Sequence, residues 1–206
     1  MAVPSEVAFY FDPACPWTWM TSRWLVDAAA QTGTVIEWRS LSLGVLNKGR
    51  EVPEQFRAPM EAARGVHRVN AALRAAGRND LIGALYTEYG RRTFHDDAPR
   101  SAALVREAVE AAGAAEWAGA ADDESLDADV EASTAEAIEL AGPDVGSPVL
   151  AWGEPRRGVF GPIVSPPPQG DDAVALFEHV VAVRDIPGVY EVKRGRSGGP
   201  QFGPRP

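Results

Sequence analysis

The first apolar run of the chain is short and abrupt. Val7 to Phe11 are β-branched or aromatic apart from Ala8, and Asp12 and Pro13 stop them. Such a run, bounded by turn residues, reads as a buried strand. The period then changes: Trp17, Met20, Trp24, Leu25 and Ala28 recur at three- and four-residue spacing, which predicts an amphipathic helix with Pro16 at its first position. After a break at Gln31-Thr32-Gly33, residues 34 to 43 alternate apolar with polar as a half-buried strand does. Strand, helix and strand in this span predict a parallel βαβ unit with a right-handed crossover.

From Pro53 to about Ala141 the chain is rich in Ala, Glu, Arg and Leu and poor in β-branched residues, so a helical stretch is expected. Pro53 and Pro99 suit first helical turns, and Gly77, Gly113 and Gly142 suit C-terminal stops. Pro59 predicts a kink or two shorter helices, and Asp122 to Leu140 reads as the last helix of the group. Beta character returns at Val145 to Trp152 and, after a Gly153/Pro155 turn, at Arg157 to Phe160, which predicts an antiparallel hairpin. A proline-rich loop leads to a closing amphipathic helix from Asp171 to Arg184. The expected parts are therefore an N-terminal βαβ part over 1–52, helices over 53–142, a ββα part over 143–192 and a flexible tail over 193–206.

The 206 residues are 45% hydrophobic, enough for one good core. A net charge of −9 argues against nucleic acid as a partner, and no apolar stretch approaches bilayer-spanning length, so a soluble cytoplasmic protein is expected. Three scattered histidines and one cysteine do not form a metal-ligand pattern, and no metal is expected. His67 and His179 read as structural or surface residues, His95 beside Asp96 and Asp97 as a solvated cap in preference to a cleft residue, and Arg23 and Arg39 as solvated surface charges.

The one cysteine carries the candidate chemistry. Cys15 stands where strand gives way to helix, followed by Pro16, Trp17 and Thr18. Unpaired amides and the positive end of the helix dipole favour a thiolate there, and helix N-termini can lower a thiol pKa from ~8.5 to roughly 3.5–7.5. Of Trp17 and Trp19, one is expected in the core, and Trp17 is assigned to the cleft beside the thiol.

The order of elements is that of a thioredoxin fold interrupted by helices, an α/β fold of the DsbA-like branch. More closely, FDPACPWTWMTSRWL, SLGVLN (Ser42 to Asn47), PEQF (Pro53 to Phe56), VGSP (Val145 to Pro148) and FGPIVS (Phe160 to Ser165) resemble the actinobacterial mycothiol-dependent nitroreductase family. The resemblance implies that Cys15 is the redox nucleophile, with Pro16 and Thr18 completing its motif and Trp17 forming part of the cleft wall. It places Asn47 and Phe56 on the facing side. Pro148 would be the cis-proline before the third strand, presenting the Ser147 backbone to an extended thiol substrate. Mycothiol, or another low-molecular-weight thiol, is the implied co-substrate, with an electrophilic or disulfide substrate as the second partner.

Two positions depart from the family pattern. Thr18 replaces the second cysteine of Cys-Pro-Trp-Cys, so Cys15 would be released by an external thiol, with the Thr18 hydroxyl available to its sulfur. Phe56 replaces a tyrosine and removes a hydroxyl from the cleft. Two other readings stay open: a kappa-class glutathione-transferase-like or isomerase-like enzyme that binds a thiol cofactor without redox cycling, and a non-catalytic thioredoxin-fold binding protein. Both a monomer and a homodimer remain compatible with the sequence.

Overall fold

Five consecutive residues of the first strand, Val7 to Phe11, are wholly inaccessible to solvent, because that strand lies at the centre of the sheet with both faces covered. The computed structural model describes residues 3–196 and 198–206. Its four-stranded sheet has the order β2-β1-β3-β4, with β1 at Glu6–Phe11, β2 at Val35–Ser40, β3 at Val149–Trp152 and β4 at Arg157–Phe160. β1 and β2 run parallel, joined through helix α1 (Pro16–Thr32), while β1–β3 and β3–β4 are antiparallel. This is the mixed α/β sheet of the thioredoxin-like, DsbA-like fold.

Alternation along β1 builds two cores. Val7, Phe9 and Phe11 point into a large aromatic cluster with Trp19, Trp24, Trp38 and Tyr86, whereas Ala8 and Tyr10 face a smaller one with Leu41, Ala137 and Val149. The helices between β2 and β3 serve both. A single turn, α2 (Leu43–Leu46), is followed by α3 (Glu54–Ala75), α4 (Asn79–Gly90), α5 (Ala102–Ala111) and α6 (Asp127–Ala141), and α7 (Asp171–Arg184) closes the fold. Tyr86 of α4 stacks on Phe11 at 4.1 Å between ring centroids, while Ala137 of α6 belongs to the opposite face. The helical stretch thus shares its core with the sheet.

Several boundaries differ from expectation for local reasons. β2 stops at Ser40 because Ser42 caps α2, its Oγ accepting from Val45 N–H at 3.3 Å. α3 runs through Pro59 as one helix. Pro59 is its sixth residue, so one amide bond to the carbonyl of Gln55 is lost near the end of the helix. Ser101, two residues after Pro99, caps α5. The expected helix over 122–140 begins later: 3₁₀ turns at Ala115–Asp122 and Glu124–Leu126 precede α6, whose first residue, Asp127, is gripped by Arg68 at 2.7 and 2.9 Å. The glycine stops hold, with φ of 69° at Gly77 and 74° at Gly113.

α4 runs on into a π-helical turn, Arg91–His95, and Gly90 at that junction touches α1 directly. A Cβ on Gly90 would sit 2.1 Å from the ring of the fully buried Trp19. Gly90→Ala is therefore expected to destabilise the fold by ~1–3 kcal/mol or more, read as a lowered thermal midpoint. An unchanged midpoint would mean that α1 and α4 are not packed this closely.

Candidate active site

The turn that carries Cys15 is held by one aspartate. Cys15 N–H donates to the Asp12 carbonyl at 3.2 Å, and Ala14 N–H donates to Asp12 Oδ1 at 2.7 Å. Asp12 Oδ2 accepts from Leu43 N–H at 2.7 Å, and His67 Nε2 lies 3.4 Å from the same oxygen. Asp12 and His67 are both buried. Cys15 then caps α1 with extended dihedrals (φ −84°, ψ 114°), Pro16 occupies the first turn, and Trp19 N–H closes on the Cys15 carbonyl at 3.1 Å. The cysteine keeps partial exposure to solvent.

A hydroxyl chain approaches the thiol from the loop before β3. Asp12 N–H donates to Ser147 Oγ at 2.9 Å, and Ser147 Oγ lies 2.9 Å from Thr18 Oγ1. Either hydroxyl can donate in the Ser147–Thr18 pair, and the Thr18 hydroxyl favours the Cys15 thiolate. The Ser147–Pro148 bond is cis and leads directly into β3.

The electrostatic balance differs from the sequence-based expectation. Burial pushes the Cys15 thiol above its ordinary value; the hydroxyl and N–H of Thr18 pull it back, the Asp12 carboxylate adds to the rise, and Trp17 N–H opposes it. The helix N-terminus does stabilise the anion, but desolvation outweighs it. Because alkylation proceeds through the thiolate, the pH midpoint for iodoacetamide labelling of Cys15 is expected above ~8.5, the ordinary value of a free cysteine. A midpoint below neutrality would refute this balance.

The other predicted residues fall into two groups. Trp17 is partly exposed while Trp19 is fully buried. Asn47 caps α2 instead of lying free, its Nδ2 donating to the Leu43 carbonyl at 2.8 Å. Phe56 is 50% exposed and belongs to neither core cluster. Neither residue makes a hydrogen bond or ring contact with the Cys15 motif among the described residues.

Several polar residues read as surface or cap are built into the interior. His67 is buried against Asp12. Arg23 stacks on Trp19 at 4.2 Å, and Arg39 is buried and pairs with Glu37 and Glu136. His95 Nε2 accepts from Trp19 Nε1 at 3.2 Å, and burial, reinforced by Arg205, lowers its pKa. The expected loose tail packs back on the protein, with Phe202 partly buried against the core. Concave surfaces at the β2 edge, lined by Arg39, Asn70 and Glu136 or by Glu37, Asn79 and Ile82, do not include Cys15. Among the described residues no cluster of His, Cys, Asp or Glu could hold a metal ion, and no helix is long and apolar enough to cross a membrane.

The chain is 30% identical over 196 residues to the uncharacterized protein Rv2286c of Mycobacterium tuberculosis, covering 94% of this chain and 83% of that one. A probable DsbA oxidoreductase, SCO1869 from Streptomyces coelicolor, superposes with a TM-score of 0.59 at 19% identity, covering 94% of this chain and 97% of its own. The cytosolic disulfide reductase DsbM from Pseudomonas aeruginosa, solved with GSH, gives 0.56 at 16% identity, covering 86% and 99%. These solved structures show the shared fold. The model of the Rv2466c-like family, described as mycothiol-dependent nitroreductase Rv2466c, matches residues 14–194, which include the whole motif from Cys15 to Thr18 and the cis-proline. The chain accordingly belongs to the Rv2466c-like mycothiol-dependent nitroreductase family and is a thiol-dependent oxidoreductase.

Proposed function

We propose that the chain is a monothiol enzyme that works in the reducing direction, with mycothiol or a related low-molecular-weight thiol as co-substrate. The observation that carries this reading is the position of Cys15. The only cysteine of the sequence is partly exposed at a helix start, and Thr18 of its motif meets Ser147 of the loop that carries Pro148. The Cys15 thiolate attacks one sulfur of a disulfide, forming a mixed disulfide and expelling the other sulfur as a thiolate. A second thiol molecule then attacks the mixed disulfide, and Cys15 leaves as a thiolate again. Thr18 and the N–H groups of Trp17 and Thr18 hold the sulfur anion in both steps.

The reducing direction follows from the co-substrate: a low-molecular-weight thiol supplies the electrons and leaves as a disulfide. A nitroaromatic is the family-level substrate. Cys15 and one external thiol would together supply two electrons and two protons, giving a nitroso compound, water and the Cys15 mixed disulfide. A further thiol would regenerate the enzyme. The cytoplasm is the compartment that keeps such thiols reduced.

Mass spectrometry after incubation with oxidised mycothiol tests the reading. One mycothiol adduct on Cys15, removed by added thiol, is expected. An unmodified protein under conditions that label a control thioredoxin-fold enzyme would defeat it.

A further inference from the structure

The end of the chain places a positive charge over a residue of the Cys15 motif. The family match stops at residue 194. Two residues later the Arg196 guanidinium lies over Trp17, 4.3 Å from the ring centroid, and Trp17 is the second residue after Cys15. Farther along, the tail is anchored. The Phe202 ring lies 5.3 Å from that of Phe94 and 5.8 Å from that of His95. Arg205 grips Asp96 through two bonds of 2.9 and 2.8 Å, and Gln201 N–H donates to Ser165 Oγ at 2.9 Å. His95 accepts in turn from Trp19, so this anchor rests on the same helix that carries the thiol.

Arg196 differs from the tail's anchoring arginine. Arg205 is engaged with Asp96, whereas Arg196 is exposed and pairs with no carboxylate among the described residues. A guanidinium stacked by its face keeps its edge N–H groups free, and that fork matches the two oxygens of a carboxylate. The protein as a whole carries −9 and repels anions, so a cation held over the tryptophan of the Cys15 motif selects locally for what the overall field rejects. We propose that Arg196 is a specificity-determining residue that recognises a carboxylate on the molecule reacting at Cys15. This rests on Cys15 being the reacting thiol. The carboxylate belongs to the electrophile that Cys15 attacks.

Paired reagents of matched size test this in the full chain. The rate constants for Cys15 alkylation by iodoacetate and iodoacetamide are compared; in each, an S–C bond forms, iodide leaves and the thiol proton goes to solvent. In Arg196→Ala the anionic-to-neutral ratio is expected to fall about 2- to 5-fold, the range of an exposed ion pair. The wild-type ratio should fall likewise as salt is raised, and Phe202→Ala, which frees the anchor, should reproduce the loss. Using ratios cancels any general change in Cys15 reactivity, and thermal melts confirm folding. An unchanged ratio would overturn the proposal. Failure of iodoacetamide to label wild-type Cys15 would instead overturn the reading on which it rests.

Discussion

Cys15→Ser is expected to remove the mycothiol adduct entirely and to reduce thiol-dependent turnover by ~10³-fold or more, to the background of the assay. A serine hydroxyl cannot form a disulfide, and no other cysteine exists in the chain to replace it. The substitution is nearly isosteric at a partly exposed position, and the Asp12 turn is built from backbone and carboxylate groups that it leaves in place. Folding should therefore be retained, and a thermal melt beside the activity assay separates loss of chemistry from loss of structure. The variant also discriminates between reading classes. A transferase or isomerase that only holds a cofactor thiol would keep activity, with the introduced hydroxyl and the α1 amides still facing the cofactor.

The second large effect is expected from Thr18→Cys. Positions 15 and 18 are one turn apart on the same face of α1, a spacing compatible with a disulfide. A thiol at 18 would attack the Cys15 mixed disulfide from within the molecule. Intramolecular delivery outcompetes a millimolar external thiol by orders of magnitude, so the steady-state adduct should fall at least about tenfold and an internal disulfide should appear in its place. Quantitative mass spectrometry of the oxidised variant reads both species. The change has a cost: Thr18 is fully buried, and its hydroxyl shares a hydrogen bond with that of Ser147. Losing it should destabilise the fold by ~1 kcal/mol. Persistence of the single-thiol adduct at its wild-type level would show that the two positions cannot meet, and would remove the reason for regarding Thr18 as the feature that makes this a monothiol site.

The sheet was legible because its strands are short apolar runs with clear stops, and the thiol because its motif sits at the change of period between strand and helix. Pro148 could be placed because the resemblance supplied an order of elements; the local sequence of Val145 to Pro148 reads equally well as a turn. What escaped was long-range polar pairing. His67 lies 55 residues from Asp12 in the chain, and nothing in its helical neighbourhood distinguishes a buried partner from a solvated one. Arg39 looks like the polar half of an alternating strand, yet Glu37 and Glu136 draw it inside. The tail's glycines and prolines read as looseness, and only three-dimensional proximity shows that Phe202 and Arg205 have receptors near Phe94 and Asp96. The thiol's charge state failed for a related reason. The helix amides that favour the anion are visible in a motif, whereas the desolvation that opposes them depends on the surrounding packing.

Asp12 gives the redox turn an unusual dependency. One carboxylate fastens the amide of Ala14, the first amide of α2 and the imidazole of His67 on α3, which come from three separate stretches of the chain. The elements between β2 and β3 are thus part of the nucleophile's foundation as well as an outer wall. A shortened protein keeping only the sheet, α1 and α7 would retain the Cys-Pro-Trp-Thr letters and lose the groups that clasp the turn beneath them. Transplanting the motif into another scaffold would fail for the same reason, unless the acceptor brought its own buried carboxylate with two donors already aimed at it.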